Sequence, residues 1–350
     1  MRPPLRFGLI GAGLAGPLFG EAFRRRPGGA ELRAVATRHR ASAQLAAEAW
    51  DVPRWYTDWR ELLLDSDIDA VCIATPTGTH AEIALAAAEA GKHVLVEKPM
   101  ASTTSEADRM IRAFRDARRQ LGVIFMYRFL EPVLKMRTAI SQGVIGTPIL
   151  GECSVKSFRD QAYYDSGEWR GSWKGEGGGS LMTQASHTID LLIWMLGDVA
   201  QVTGYWVTTA MHRIEVDDLA VAALRFQSGA LGVIVSSTAI SPPAERSLTI
   251  HGELGTIGLV GDELAIWQVP GGPDEEAARL LAAAPVERGD TAGTPYFTDW
   301  ALHFKEIEDF VAAIQEDRAP IIDGVEGRRA VATIEAIYAS EAQNRAIRPA

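Results

Sequence analysis

The chain has 350 residues, 47% of them hydrophobic and 23% charged, which is a globular composition with room for two domains. The net charge of -10 argues against nucleic-acid binding, while a few local dipoles and cations can still hold an anionic cofactor. Two cysteines, Cys72 and Cys153, give neither a disulfide framework nor a metal-ligand spacing, and they fit a reducing cytoplasm.

Arg2 and Arg6 precede an apolar run over residues 7–20 and so imitate a secretory leader. The glycine turn inside that run reads instead as a strand entering a turn. No segment is long and apolar enough to span a bilayer. Strands are predicted at Leu5–Ile10, Leu32–Ala36, Ala70–Ala74, His93–Val96 and Val123–Phe125. Helical patterns fall between them at Leu14–Arg26, Ala41–Trp50, Arg60–Leu64, Thr79–Ala90 and Ser105–Gln120. Alternating helices and near-continuous apolar strands imply an α/β fold, a parallel sheet covered on both faces. Right-handed crossovers make it a doubly wound Rossmann domain, over residues 1–125.

The pattern changes over residues 126–350. A helix at Pro132–Gln142 precedes strand-like stretches at Leu150–Phe158, Val202–Ala210, Leu219–Phe226, Gly232–Ser237, Ser247–His251 and Leu264–Val269. Strands without intervening helices predict a mostly antiparallel sheet, hence an α+β second domain. A helix at His187–Leu196 interrupts them, and helices close the chain at Asp299–Gln315 and Val325–Arg345. The stretch Pro270 to Pro295 reads as a surface excursion.

Gly11-Ala12-Gly13-Leu14-Ala15-Gly16 follows the first strand and opens the first helix. In that setting the first glycine permits the tight turn, the second admits a pyrophosphate, and the third allows close packing. The helix N-terminus then offers N–H groups to the phosphates. An acid about 20 residues further on would bind the ribose of NAD. Thr37-Arg38-His39-Arg40 stands there instead. A guanidinium at Arg38 matches a 2′-phosphate, which favours NADP over NAD.

Three further stretches matter: Ala74-Thr75-Pro76-Thr77-Gly78-Thr79-His80, the run from Gly91 through Glu97-Lys98-Pro99, and the run from Gly177-Gly178-Gly179 through Thr183 and His187 to Asp190. With the glycine turn and the tail from Phe310 through Pro320 to Gly327, the chain resembles the Gfo/Idh/MocA oxidoreductases along nearly its whole length. The resemblance implies a Rossmann domain followed by a domain with an open, mostly antiparallel sheet. It implies hydride transfer between NAD(P) and a sugar, cyclitol or related polyol. It also implies a homo-oligomer, dimer or tetramer, built on the outer face of that sheet. Glycoside cleavage by oxidation, elimination and hydration is the alternative chemistry on the same scaffold. Dinucleotide sensing without turnover is a third reading, against which the retention of Lys98 and His187 argues.

Lys98 follows the His93–Val96 strand, on the sheet edge where such folds bind ligands. Its ammonium can donate to a substrate hydroxyl and stabilise a developing alkoxide. The imidazole of His187 suits proton exchange near neutral pH. The resemblance makes both residues catalytic. It assigns the cofactor to residues 11–16 with Thr37, Arg38, Thr75, Pro76, His80, Glu97, Lys98, Trp169 and Arg170. It assigns the substrate to Tyr127, Arg128, Lys156, Thr183 and His187, with no metal. Thr183 departs from the family, where an Asp is usual. A threonine can hydrogen-bond but cannot serve as a charged partner for His187.

Overall fold

A computed structural model describes residues 3–269 and 300–350, so the Pro270–Pro295 stretch lies outside the described residues. The strands are β1 Arg6–Ile10, β2 Glu31–Ala36, β3 Arg54–Tyr56, β4 Ala70–Ile73, β5 His93–Val96, β6 Leu121–Val123, β7 Pro148–Lys156, β8 Val199–Val207, β9 Leu219–Phe226, β10 Leu231–Ser237, β11 Ser247–Gly252, β12 Thr256–Val260 and β13 Glu263–Gln268. The helices are α1 Gly16–Phe23, α2 Arg40–Trp50, α3 Trp59–Leu64, α4 His80–Glu89, α5 Thr104–Ala117, α6 Glu131–Ser141, α7 Gln161–Asp165, α8 Trp173–Glu176, α9 Ser186–Leu196, α10 Trp300–Glu316 and α11 Gly324–Gln343.

Contacts divide the chain into two units, Met1–Met126 with Gly289–Arg328, and Tyr127–Arg288 with Arg329–Ala350. The first contains a six-stranded parallel sheet in the order β3-β2-β1-β4-β5-β6. The strand order reverses between β1 and β4, and ligands bind such sheets outside the carboxyl ends at that point. The four residues of β4 are all buried, as a strand covered on both faces requires. Phe7, Leu9, Phe19 and Phe310 form the centre of its core.

The sequence pattern places residues 126–350 in one domain, whereas the first unit also takes in residues up to Arg328. In the structure α10 packs on α1, with Phe310 6.4 Å from Phe7 between ring centroids. An amphipathic stripe shows that a helix needs an apolar partner, but not which one. The boundary falls inside α11. Arg328 pairs with Asp108 of the first unit at 2.6 Å, and Arg329 with Asp198 of the second at 2.8 Å.

The second unit holds a seven-stranded sheet in the order β13-β12-β11-β7-β10-β9-β8. Only the β7–β10 pairing is parallel. Helix α9 lies against one face, where Gly151 of β7 meets Leu192 and Leu196. Along β9, buried and exposed residues alternate, so the sheet has one covered and one open face there.

At the start of β5, His93 Nδ1 accepts the Gln120 N–H at 2.9 Å. Burial first, and then the Arg119 charge, lower this imidazole from 6.5 to about 4. The unfolded chain therefore binds a proton that the folded protein refuses between those values. Stability from His93 is full above pH 6.5 and is lost as pH falls towards 4. The loss is about 2 kcal/mol after discounting for partial exposure. His93→Asn keeps an acceptor but cannot titrate, so urea midpoints measured across this range should depend less on pH in that variant.

Candidate active site

The expected site residues fall in both units. In the first, Gly11 closes the turn after β1 with φ of +101°, and a Cβ there would stand 2.4 Å from the Ala74 carbonyl oxygen. A Cβ on Gly13 would meet nothing within 4 Å, so open space faces the second glycine. Gly16 packs against the Gly11 carbonyl and Trp50 of α2. Ala15 stands at the N-cap of α1 and supplies no side-chain cap, and Leu14 is exposed. An open approach ahead of an uncapped helix start fits a dinucleotide pyrophosphate. At the end of β2, Arg38 is exposed and the Thr37 hydroxyl donates to the His39 carbonyl at 3.0 Å.

His80 was expected at the cofactor. The side chain is buried, 1% exposed, against the turn that carries Thr75 and Pro76. Its Nδ1 lies 2.9 Å from the Pro99 carbonyl oxygen and its Nε2 2.8 Å from that of Thr75. Burial outweighs these two contacts and lowers the imidazole's pKa. The ring ties the turn bearing Thr75 and Pro76 to the turn bearing Lys98. Thr75 also accepts the Thr79 hydroxyl at 2.8 Å.

Glu97 is buried and its Oε2 accepts the Lys98 N–H at 3.1 Å. Burial pushes this carboxyl up. A hydrogen bond from His303 and the charges of His303 and Lys98 overcome that push and leave it below the ordinary value. Lys98 itself is half-buried.

In the second unit, His187 stands on the first turn of α9, directly after a π-helical turn at Leu181–Ala185. Such turns occur often at functional sites. Asp217, fully buried, organises the approach. Its carboxylate accepts from Gly179 N at 2.8 Å, Ser180 Oγ at 2.7 Å, Leu181 N at 3.0 Å and the Tyr338 hydroxyl at 2.6 Å. A Cβ on Gly179 would come within 1.8 Å of the Asp217 carbonyl oxygen, which explains glycine there. The Thr183 hydroxyl donates to the Gly179 carbonyl at 2.9 Å, so it too serves this turn.

Tyr127 packs on His187, and Arg128 anchors the helix that carries it. The Tyr127 ring lies 4.5 Å from the imidazole, centroid to centroid. Arg246 covers Tyr127, with its guanidinium carbon 4.0 Å from the ring centroid. Arg128 was expected to touch substrate. It instead forms a bidentate pair with Asp190, at 2.8 Å and 2.6 Å, and both side chains are 2% exposed. Asp190 lies three residues beyond His187, so the pair anchors the histidine's own helical turn.

Lys156 ends β7 and is half-buried. Cys153 and Val155 of β7 enter the core, and strand alternation turns Lys156 to the opposite face. It does not share the face that α9 covers. Trp169 and Arg170 lie in the loop between α7 and α8. The Arg170 guanidinium carbon stands 4.2 Å from the Tyr163 ring centroid and 4.4 Å from that of Trp169. Tyr164 is buried, sharing a 2.8 Å hydrogen bond with Thr238, and so acts in packing. Among the described residues, no group of three His, Cys, Asp or Glu side chains is arranged to hold a metal, and no helix is long and apolar enough to cross a membrane.

Sequence reasoning missed Asp217, the Arg128–Asp190 pair and His303. The Asp217-Asp218 doublet before a predicted strand was the one local signal. The other partners are too distant in sequence to be recognised.

Residues 5–125 match the oxidoreductase family described as having an NAD-binding Rossmann fold, and residues 133–258 match the GFO/IDH/MocA C-terminal domain. Levoglucosan dehydrogenase of Pseudarthrobacter phenanthrenivorans is 31% identical over 293 residues, covering 72% of this chain and 73% of that one. Myo-inositol 2-dehydrogenase of Thermotoga maritima is 26% identical over 336 residues, 93% of each chain. The crystal structure of the WlbA dehydrogenase from Bordetella pertussis, in complex with NADH and UDP-GlcNAcA, superposes with a TM-score of 0.88 at 32% identity, covering 99% of this chain and 98% of that one.

Breaking the Arg128–Asp190 pair from one side leaves an uncompensated buried charge. Arg128→Met should cost about 3–5 kcal/mol in urea unfolding. Adding Asp190→Leu should recover much of that loss, because it removes the stranded carboxylate.

Proposed function

The chain belongs to the Gfo/Idh/MocA oxidoreductase family, and on that premise we propose that it transfers hydride between a nicotinamide dinucleotide and a carbinol or ketone carbon of a sugar, cyclitol or related polyol. One observation carries the reading furthest. The Tyr127 ring packs on the imidazole of His187, and the Arg128–Asp190 pair anchors the helical turn that bears it. That is the rigidity a proton-transfer group needs.

When bound, the nicotinamide supplies the hydride acceptor or donor. The protein's own residues handle the proton. In the oxidation direction His187 takes the hydroxyl proton, and in reduction it returns it. The Lys98 ammonium donates a hydrogen bond to the same oxygen and stabilises negative charge as it develops. The negative charge of Glu97 favours the ammonium form of Lys98. Thr183 takes no part in proton transfer, because its hydroxyl donates to Gly179. Gly11, Gly13 and the start of α1 hold the pyrophosphate, with Thr75 and Pro76 beside them. Trp169, Arg170 and Tyr127 serve the cofactor and substrate as the family resemblance assigns them.

The proposal favours NADP over NAD. Its support is the exposed Arg38 at the end of β2, in a segment without an acidic residue. The proposal also includes a homo-oligomer built on the open face of the second sheet. Tyr205, Val221 and Val235 lie in one row across β8, β9 and β10, and the first two are 63% and 44% exposed. A cytoplasmic location agrees with two buried free thiols, Cys72 and Cys153.

The test is turnover of NADP and NAD with a panel including myo-inositol, levoglucosan and D-xylose, read by reduced-nicotinamide absorbance. Lys98→Met and His187→Ala should each lower kcat by roughly 10²–10⁴-fold while dinucleotide still binds. A histidine-like limb in the pH–rate profile should vanish in His187→Ala. Arg38→Ala should lower kcat/KM for NADP about tenfold more than for NAD. Absence of turnover across a broad panel, with dinucleotide bound, counts against the hydride-transfer reading.

A further inference from the structure

Helix α10 places two polar side chains inside the first unit, one helical turn apart. Glu306 Oε1 accepts the Phe125 N–H at 2.9 Å, just beyond β6. His303 reaches the turn after β5, with its Nε2 3.1 Å from Glu97 Oε1. The imidazole is 1% exposed and stands edge-on to Phe19 of α1, 5.0 Å between centroids. Its Nδ1 has no hydrogen-bond partner among the described residues, so Nε2 is the nitrogen that donates to Glu97. The other Glu97 oxygen accepts the Lys98 N–H. A single carboxylate thus joins a histidine 206 residues away to the backbone of Lys98.

We propose that His303 is a positioning residue for Lys98, acting through Glu97. The Nε2–H holds the carboxylate in one orientation. The ionised carboxylate in turn fixes the Lys98 backbone and favours its ammonium form. The proposal rests on Lys98 being the hydroxyl-binding lysine of the function above. A carboxylate that loses the donor on one oxygen is free to turn, and its charge then stands further from Lys98. The other titratable groups facing Glu97 do not replace that charge. Burial raises the Cys72 thiol well above its ordinary range. Burial also lowers the His80 imidazole, while Glu106 on α5 faces His80 and opposes this only weakly.

The experiment reads Lys98 directly and needs no substrate. Competitive labelling with acetic anhydride across pH, followed by mass spectrometry, gives the titration midpoint of Lys98, with Lys156 as internal reference. His303→Leu should lower the Lys98 midpoint by about one pH unit and leave Lys156 unchanged. His303→Gln returns an N–H donor near the position of Nε2 and should restore the midpoint. An unmoved midpoint in folded His303→Leu overturns the proposal. Equal shifts in the Leu and Gln variants also overturn it, because packing against Phe19 would then be the cause.

Glu97→Gln is the second arm, nearly isosteric and usable should His303→Leu not fold. It should lower the Lys98 midpoint by itself, and adding His303→Gln should shift it no further. A wild-type midpoint in Glu97→Gln overturns the coupling. Labelling is independent of the polyol panel. A panel without turnover therefore sinks the hydride-transfer reading, whereas an unmoved Lys98 sinks only the role of His303.

Discussion

The Asp217 side chain has no exposure to solvent, and the geometry of the approach to α9 depends on how its oxygens are satisfied. Burying a carboxylate costs several kcal/mol. Each hydrogen bond to a charged group returns about 1.5–3 kcal/mol. Four donors converge on Asp217, three of them from consecutive residues, Gly179, Ser180 and Leu181. Together these hydrogen bonds offset the cost of burial. The chain entering the π-helical turn is therefore held at three successive positions, and the direction of α9 follows from it. His187 inherits its place from a carboxylate that it does not touch.

The same physics recurs around the other reactive group. Apolar packing is non-directional, so it brings β5, α4 and α10 together without fixing an ammonium at one point. Hydrogen bonds are directional and do fix points. His80 ties two turns through backbone carbonyls, and Glu97 binds the Lys98 backbone. Arg128 and Asp190 do this for the turn of His187. In each unit the core supplies cohesion, and a few buried polar groups supply position. These groups are also the sensitive ones, since removing one partner strands the other in a low-dielectric interior.

Most elements were legible because their signals are local. Near-continuous apolar runs gave the parallel strands, and interrupted ones gave the second sheet. Two strands were missed. Residues 54–56 make a three-residue strand, half-buried throughout, with no alternation to read. Thr256–Val260 has Gly258 in its middle, which weakens a strand pattern. The side of Lys156 was within reach of the sequence, because Cys153 and Val155 already mark the inward parity of β7. Arg128 was not within reach. A cation in sequence looks the same whether it meets substrate or a buried aspartate 62 residues away.

The sequence by itself determined what depends on neighbouring residues. The glycine turn after β1, the lysine after β5 and the glycine approach to His187 are local constraints on backbone, and short motifs encode them. The tertiary structure alone decided which distant groups these motifs lean on. It joined α10 to the first unit, gave Asp217 to the glycine turn, Asp190 to Arg128 and Glu97 to His303. The reason is physical. A turn is set by the torsions of a few adjacent residues, whereas the partner of a buried charge is set by the packing of the elements that bury it.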